Sequence, residues 1–325
     1  MRLRRYAKLI VIILAPLLLL SCVVRRPAET PPPELVKLKI PESISRGEGK
    51  EPVLKVYVQK TGQIKELPFE QYVAGVVAGE MKNDWPEEAL AAQAILARTF
   101  VMEFITEKGG SKYKGAHVST DIEEAQAWNQ EAVNDRVKRA VERTKGEVAT
   151  YNDKYVKAWF HAHAGGTTAS AKEGLAFKED EPPYVKIVKS PDSPDAPPDD
   201  KAWTAVFSKA EILAALKQAG GQTNDFSSAK IVEKGPSGRA VTLSFGNTAV
   251  SAPEFRLAIG STKMKSTYLT DIRVEGDKVV MKGKGYGHGV GMSQWGAYAL
   301  AKQGKKAEDI VNYYFKNIDI VRIWE

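Results

Sequence analysis

The sequence predicts an α+β fold with mixed, largely antiparallel sheets and packed helices, arranged as one large domain or two closely associated lobes. Strand-like and helix-like segments mix along the chain without regular βαβ alternation, and no internal repeat is present. Several strand candidates come as hairpins around short turn signals, such as Thr61-Gly62 and Asn152-Asp153. The 325 residues are enough for one large or two ordinary cores, and an apolar share of 43% with 27% charged residues is that of a globular chain.

The elements follow in order. Residues 1–24 hold Arg2, Arg4, Arg5 and Lys8 ahead of an apolar run from Leu9 to Leu20, then Ser21 and Cys22. A basic region before a short apolar core is an export signal, with a signal anchor as the alternative. "LLSC" resembles a lipoprotein lipobox, which makes Cys22 the lipidation candidate. Residues 25–52 read as a Pro-rich polar tether and 53–325 as the folded domain. "VLKVYVQKTGQIKEL" reads as a hairpin, followed by two helices reaching about Thr106, each with a proline (Pro68, Pro86) expected in its first turn. A third helix is expected over about 121–143, and a hairpin turning at Asn152-Asp153. "SPDSPDAPPDD" reads as a surface loop, "SKAEILAALKQAGG" as a capped helix, and 230–246 and 268–282 as strands. "SQWGAYALAKQG" and "KAEDIVNYYF" close the chain as helices.

Charge and cysteine count remove several classes. The four basic residues of 1–21, with no acid among them, account for four of the formal +7 and leave +3. No basic stripe with interleaved aromatics stands out, so no nucleic-acid partner is expected. Cys22 is the single cysteine, so neither an intrachain disulfide nor a Cys-based zinc site is available.

Two ionisable residues fall where apolar ones belong. Val73, Val77 and Glu80 stand at i, i+4 and i+7 of the first helix, and Gly75 and Gly79 allow another element to approach it closely. On the second helix Arg98 shares a face with Ala91, Ile95, Met102 and Ile105. One outcome is a structural Glu80–Arg98 ion pair. The other is a carboxyl in a partly apolar cleft, with its pKa raised toward that of a general acid.

The stretch "GKGYGHGVGMSQWG" has glycine at 283, 285, 287, 289 and 291. Read as extended chain, it presents one bare backbone face and another carrying Lys284, Tyr286, His288 and Val290. The spacing fits neither GxGxxG nor GxxxxGK[ST]. A kinked structural strand is the alternative to a binding surface. "FHAHAGGTT" places His161 and His163 two apart, as metal ligands or as polar lining of a groove.

The blocks "EQYVAGVVAGEM", "WPEEALAAQAILARTF", "EFRLAIG", "GKGYGHGVGMSQWGAYALAKQGK" and "IVNYYF", in that order, resemble the stage II sporulation protein D family, which includes the amidase-enhancer LytB proteins. The resemblance implies an extracytoplasmic lytic transglycosylase that cleaves MurNAc–GlcNAc bonds of peptidoglycan glycan strands to 1,6-anhydro ends. Its catalytic glutamate falls on Glu80. The alternative is a non-catalytic wall-binding activator of an N-acetylmuramoyl-L-alanine amidase. On the first reading the bare glycine face receives glycan, and Arg98, Tyr286, His288, Ser293, Gln294, His161 and His163 line the groove. Some members are thought to bind zinc through histidines and cysteines; with no cysteine to contribute here, no metal and no cofactor are expected. Asp121 and Gln126 also lie in a family-like block, as helix cap and surface or as sugar contacts. The expected partners are glycan strands, a cell-wall amidase and, through the N-terminus, the outer face of the cytoplasmic membrane.

Overall fold

The computed structural model describes residues 38–325. The expected leader, Cys22 and the first part of the tether lie outside the described residues. The fold takes hold of the chain before residue 53: Ile44 is buried in the core, and Gly49 bridges to Trp324 near the C-terminus.

The first hairpin forms as expected. β1 (Val53–Val58) pairs antiparallel with β2 (Gln63–Pro68) around Gly62, and β3 (Val118–Ser119) adds parallel to β1. Helices α1 (Phe69–Glu80) and α2 (Glu87–Lys108) follow. Pro68 and Pro86 are not in the first turns; each is the extended residue just before its helix, with ψ of 143° and 136°. Twenty-two residues long and strongly apolar, α2 has the dimensions of a membrane span, yet it is the buried core helix.

The third helix differs from expectation. Only α3 (Asp135–Arg143) is α-helical, after a single 3₁₀ turn at Gln130–Ala132; α3 is started by Asn134, whose side chain accepts from Val137 N. Residues 125–129 are instead laid across α1. The Trp128 indole occupies the place of a Cβ on Gly75, and a Cβ on Gly79 would come within 2.8 Å of the Ala127 backbone. A peptide segment seated on a helix at two glycines, with Asn129 N donating to Gly75 O, cannot itself continue as helix.

β4 (Glu147–Tyr151) and β5 (Lys154–Tyr155) turn at Asn152 and Asp153, both at positive φ, the residues such a two-residue turn favours. β6 (Phe160–His161), α4 (Ala171–Leu175) and α5 (Pro198–Lys201) lead into β7 (Trp203–Ser208). Next come α6 (Lys209–Gln218), with Ser208 and Glu211 as its capping box, β8 (Ala229–Lys234), β9 (Ala240–Phe245) and β10 (Thr248–Ser251). α7 (Ala252–Ile259), β11 (Leu269–Glu275) and β12 (Lys278–Gly283) complete this region. β13 (Met292–Ser293), α8 (Gln294–Lys302), α9 (Ala307–Tyr314) and β14 (Asp319–Arg322) end the chain.

The described strands form small, mostly antiparallel sheets: β2-β1-β3, β14-β4-β5, β13-β6, β11-β12-β7 and β10-β9-β8. This is an α+β fold. Residues 38–325 are one compact unit with two apolar cores. The larger surrounds α2 and includes α1, α3, α8 and α9; the smaller lies within 203–281, around Phe207, Leu216, Phe245, Phe255 and Met281.

Candidate active site

Glu80 is the last residue of α1, partly buried. Its Oε1 accepts a hydrogen bond from Ala127 N at 2.7 Å, donated by the segment that crosses α1 at Gly79. Burial pushes its pKa up from an ordinary 4.5 to about 7, because the charged form loses water; the Ala127 N–H opposes this more weakly. A carboxyl of this kind exchanges its proton near neutrality.

Arg98 is not its partner, and it does not line a groove. Arg98 is fully buried and forks onto Glu70, with Nε to Oε1 at 2.9 Å and an Nη to Oε2 at 2.7 Å. Gly146 N and Trp324 Nε1 also donate to Glu70 Oε1, and the other Arg98 Nη donates to Glu147 O. The levels of a helical hairpin decide this pairing. Arg98 stands eleven residues into α2, about 16 Å from the turn, level with the start of α1. Among the described residues, no cation pairs with Glu80 at the turn.

Gln294 does reach Glu80, though through its main chain. Its Nε2 donates to Glu80 O at 3.2 Å and approaches Gln93 Oε1 on α2 at 3.4 Å. It thereby holds one of the terminal carbonyls that a helix cannot satisfy internally.

The glycine segment is neither an extended strand nor a bare platform. Gly285, Gly287, Gly289 and Gly291 all have positive φ, and this chain fills the space beside them. A Cβ on Gly287 would lie 2.7 Å from His161 Cβ, and one on Gly291 would collide with Trp159 O. His163 and Tyr286 exchange backbone hydrogen bonds, Met292 N donates to Trp159 O, and Trp295 N donates to Ala162 O. The expected glycan-receiving face is therefore buried against residues 159–165.

The polar residues expected to line the groove are largely engaged within the protein. Ser293 is buried, caps α8 and donates to Asp192 Oδ1 at 2.6 Å. Asp192 also accepts from Ser190 Oγ and Gly166 N and faces His163 Nδ1 at 3.4 Å. The acidic, Pro-rich stretch is thus tied inward through Asp192. His161 sits by His288, ring centres 5.7 Å apart, with its Nδ1 on Val290 O. Burial, with Arg256 and Arg239 beside it, holds His288 down at about 3, so it stays neutral. Tyr286 is half-buried, with Lys265 Nζ 5.1 Å from its ring centre. Among the described residues no group of three or more His, Cys, Asp or Glu side chains is placed to hold a metal.

Sequence reasoning missed the Ala127 N–H, the Trp128 indole and Gln93. The glycine pair in α1 signalled a close approach but not which segment would make it. Asp121 is buried, paired with Lys112 at 2.7 Å and bonded by Tyr113 OH, and is neither a helix cap nor solvated.

Fold and site together define an α+β protein built around one neutral-leaning carboxyl at a helix end. Residues 57–151 match the family Stage II sporulation protein (SpoIID), and 177–291 match a Domain of unknown function (DUF8618). The chain is 34% identical over 261 residues to an uncharacterised protein of Brachyspira hyodysenteriae, covering 79% of this chain and 68% of that one. It is 31% identical to stage II sporulation protein D of Bacillus subtilis, covering 82% and 78%. To the amidase enhancer of Bacillus subtilis it is 29% identical, over 74% of this chain and 39% of that protein. The chain belongs to the stage II sporulation protein D family.

Proposed function

We propose that this protein is a peptidoglycan lytic transglycosylase acting in sporulation or cell-wall remodelling. The observation that carries the proposal is the Glu80 carboxyl, unpaired with any cation among the described residues and raised to about 7 by burial. Glu80 in its acid form gives its proton to the oxygen linking MurNAc C1 to GlcNAc. The C1–O bond breaks with its electron pair left on that oxygen. The MurNAc C6 hydroxyl oxygen bonds to C1, and its proton passes to the Glu80 carboxylate, which restores the acid. No water enters and no second carboxyl is needed, because the nucleophile is held within the same sugar. An ordinary glycosidase, by contrast, needs two.

Export and attachment to the outer face of the cytoplasmic membrane belong to the same proposal, on the strength of the basic–apolar leader and Cys22. Cys22→Ser is expected to abolish fatty-acid labelling; unchanged processing and membrane retention would favour a signal anchor. The name of the amidase enhancer supports an amidase partner and a competing, non-catalytic reading. Glu80→Gln separates the two. General acid–base loss lowers rates by about 10²–10⁴, and with one residue serving both steps the upper end is expected. Release of anhydro-muramic ends, followed by mass spectrometry from pH 4 to 9, should fall accordingly while wall binding persists. Full activity in the variant rules out the acid–base role. No release by either protein, with amidase stimulation by both, establishes the activator.

A further inference from the structure

One sheet of the smaller core has an unguarded edge. β7 is an outer strand of the sheet β11-β12-β7, and its sequence, Trp-Thr-Ala-Val-Phe-Ser, carries no charge. Folded proteins blunt such edges with charged side chains or proline, because unpaired backbone groups there invite another strand. The other described edge strands of six or more residues follow that rule. β2 has Lys65 and Glu66, β8 has Lys230 and Glu233, and β11 has Asp271 and Arg273. β7 instead exposes Thr204 and Val206, the latter by 52%.

The free backbone groups of β7 can be assigned. Lys209 N donates inward to Asp277 O, and Ser208 N donates to the Glu211 carboxylate at 2.8 Å. Hydrogen-bonded pairs alternate along an antiparallel ladder, so Trp203, Ala205 and Phe207 bond to β12, while Thr204 and Val206 turn N–H and C=O outward. Among the described residues nothing bonds these four groups. Read from Ala205 in either direction, the strand repeats its own chemistry: a β-branched residue, then an aromatic one. Antiparallel pairing about a two-fold axis at Ala205 sets Thr204 against Val206 of the second copy and Trp203 against its Phe207. All four free groups on each copy are then bonded. The neighbouring registers fail. Centring on Val206 calls on Ser208 N, which Glu211 holds, and centring on Thr204 calls on Ala202 N, which donates to Pro198 O. We propose that β7 pairs with β7 of a second copy of this chain, joining two three-stranded sheets into one. An interface between identical surfaces must be self-complementary, which this strand is. Opposed aromatic and β-branched side chains add to the backbone bonds. The pairing does not rest on the glycan-cleaving reading.

Two short strands bury less than a standard interface, so the dimer should be weak and concentration-dependent. Full-length protein in density-matched detergent, sedimented at concentrations from about 5 to about 500 µM, should pass from monomer to dimer. Val206→Lys should weaken association at least about tenfold, because a lysine blunts the edge. The melting temperature should hold, since the Val206 side chain already faces water. The register is read by cross-linking in a Cys22→Ser background. Ala205→Cys should oxidise to a disulfide across the two-fold axis, where the paired Cα atoms lie about 4.5 Å apart. Thr204→Cys, which faces Val206 and not its own copy, should stay reduced. Protein that is monomeric at every concentration overturns the proposal and leaves the edge to a strand of another protein. A dimer that survives Val206→Lys overturns it too, as does cross-linking of Thr204→Cys equal to that of Ala205→Cys.

Discussion

Glu80 couples its proton to the fold as well as to the proposed chemistry. Its folded pKa of about 7 lies above the ordinary 4.5, so between these values the native state holds more proton than the unfolded chain. Stability contributed by the neutral carboxyl is full below about 4.5 and is lost as pH rises through 7. Glu80→Gln, which keeps an acceptor for Ala127 N, should match the native protein at pH 4. At pH 8 it should be more stable by on the order of 2 kcal/mol, allowing for partial solvent access. Denaturant titrations at both pH values check this, and a variant less stable at pH 8 contradicts it. Arg98 belongs to the opposite class. Arg98→Met leaves Glu70 buried without its cation and should cost about 3–5 kcal/mol. Activity per folded molecule should change little, since Arg98 is fully buried and bonded to Glu70.

At the scale of elements, two crossings of backbone over glycine decide the site. In the first, residues 125–129 are seated on α1 and bring the Ala127 N–H to the carboxyl. Gly79→Ala should lift that segment and weaken the Ala127–Glu80 bond. The acid limb of the pH–rate profile should then move, with a clear fall in melting temperature because the added Cβ meets backbone, and an unmoved limb in the folded variant excludes a role for the crossing. The second is the glycine segment, packed on 159–165. Gly287 has φ of 106° and no room for a Cβ beside His161. Gly287→Val should therefore lower the melting temperature sharply, with glycan binding per folded molecule unchanged. Selective loss of binding in a fully stable variant would restore the glycan-facing role.

Across the whole molecule, Arg239 joins the two cores. It stands just before β9 of the smaller one, fully buried, and donates to Thr167 O at 2.7 Å and Ala164 O at 2.6 Å. Its guanidinium fills the space beside Gly289. Glu173, on α4, accepts from Ser237 N and Oγ and from Arg239 N. Hydrogen bonds to charged groups contribute about 1.5–3 kcal/mol each, so Arg239→Met should be strongly destabilising. Hydrogen exchange should accelerate most in β8–β10 and least in α2. Uniform acceleration throughout would mean that the two cores open as one cooperative unit.

The sequence by itself determined the local grammar. The Thr61-Gly62 and Asn152-Asp153 turns, the Ser208 cap and the helical stripe ending at Glu80 all depend on neighbours within a few residues. Periodicity, caps and φ preferences report such neighbours directly. Only the tertiary structure decided which element meets which. Glu70 and Glu80 share a stripe three turns long, and the level of Arg98 across the helical hairpin chose Glu70. The alternating glycines have the same composition whether they face a ligand or the chain's own backbone, and packing on Trp159 and His161 assigned them to the backbone. Long-range partners such as Ala127 for Glu80 and Asp192 for Ser293 leave no local periodicity, because their contacts form only when distant segments close on one another.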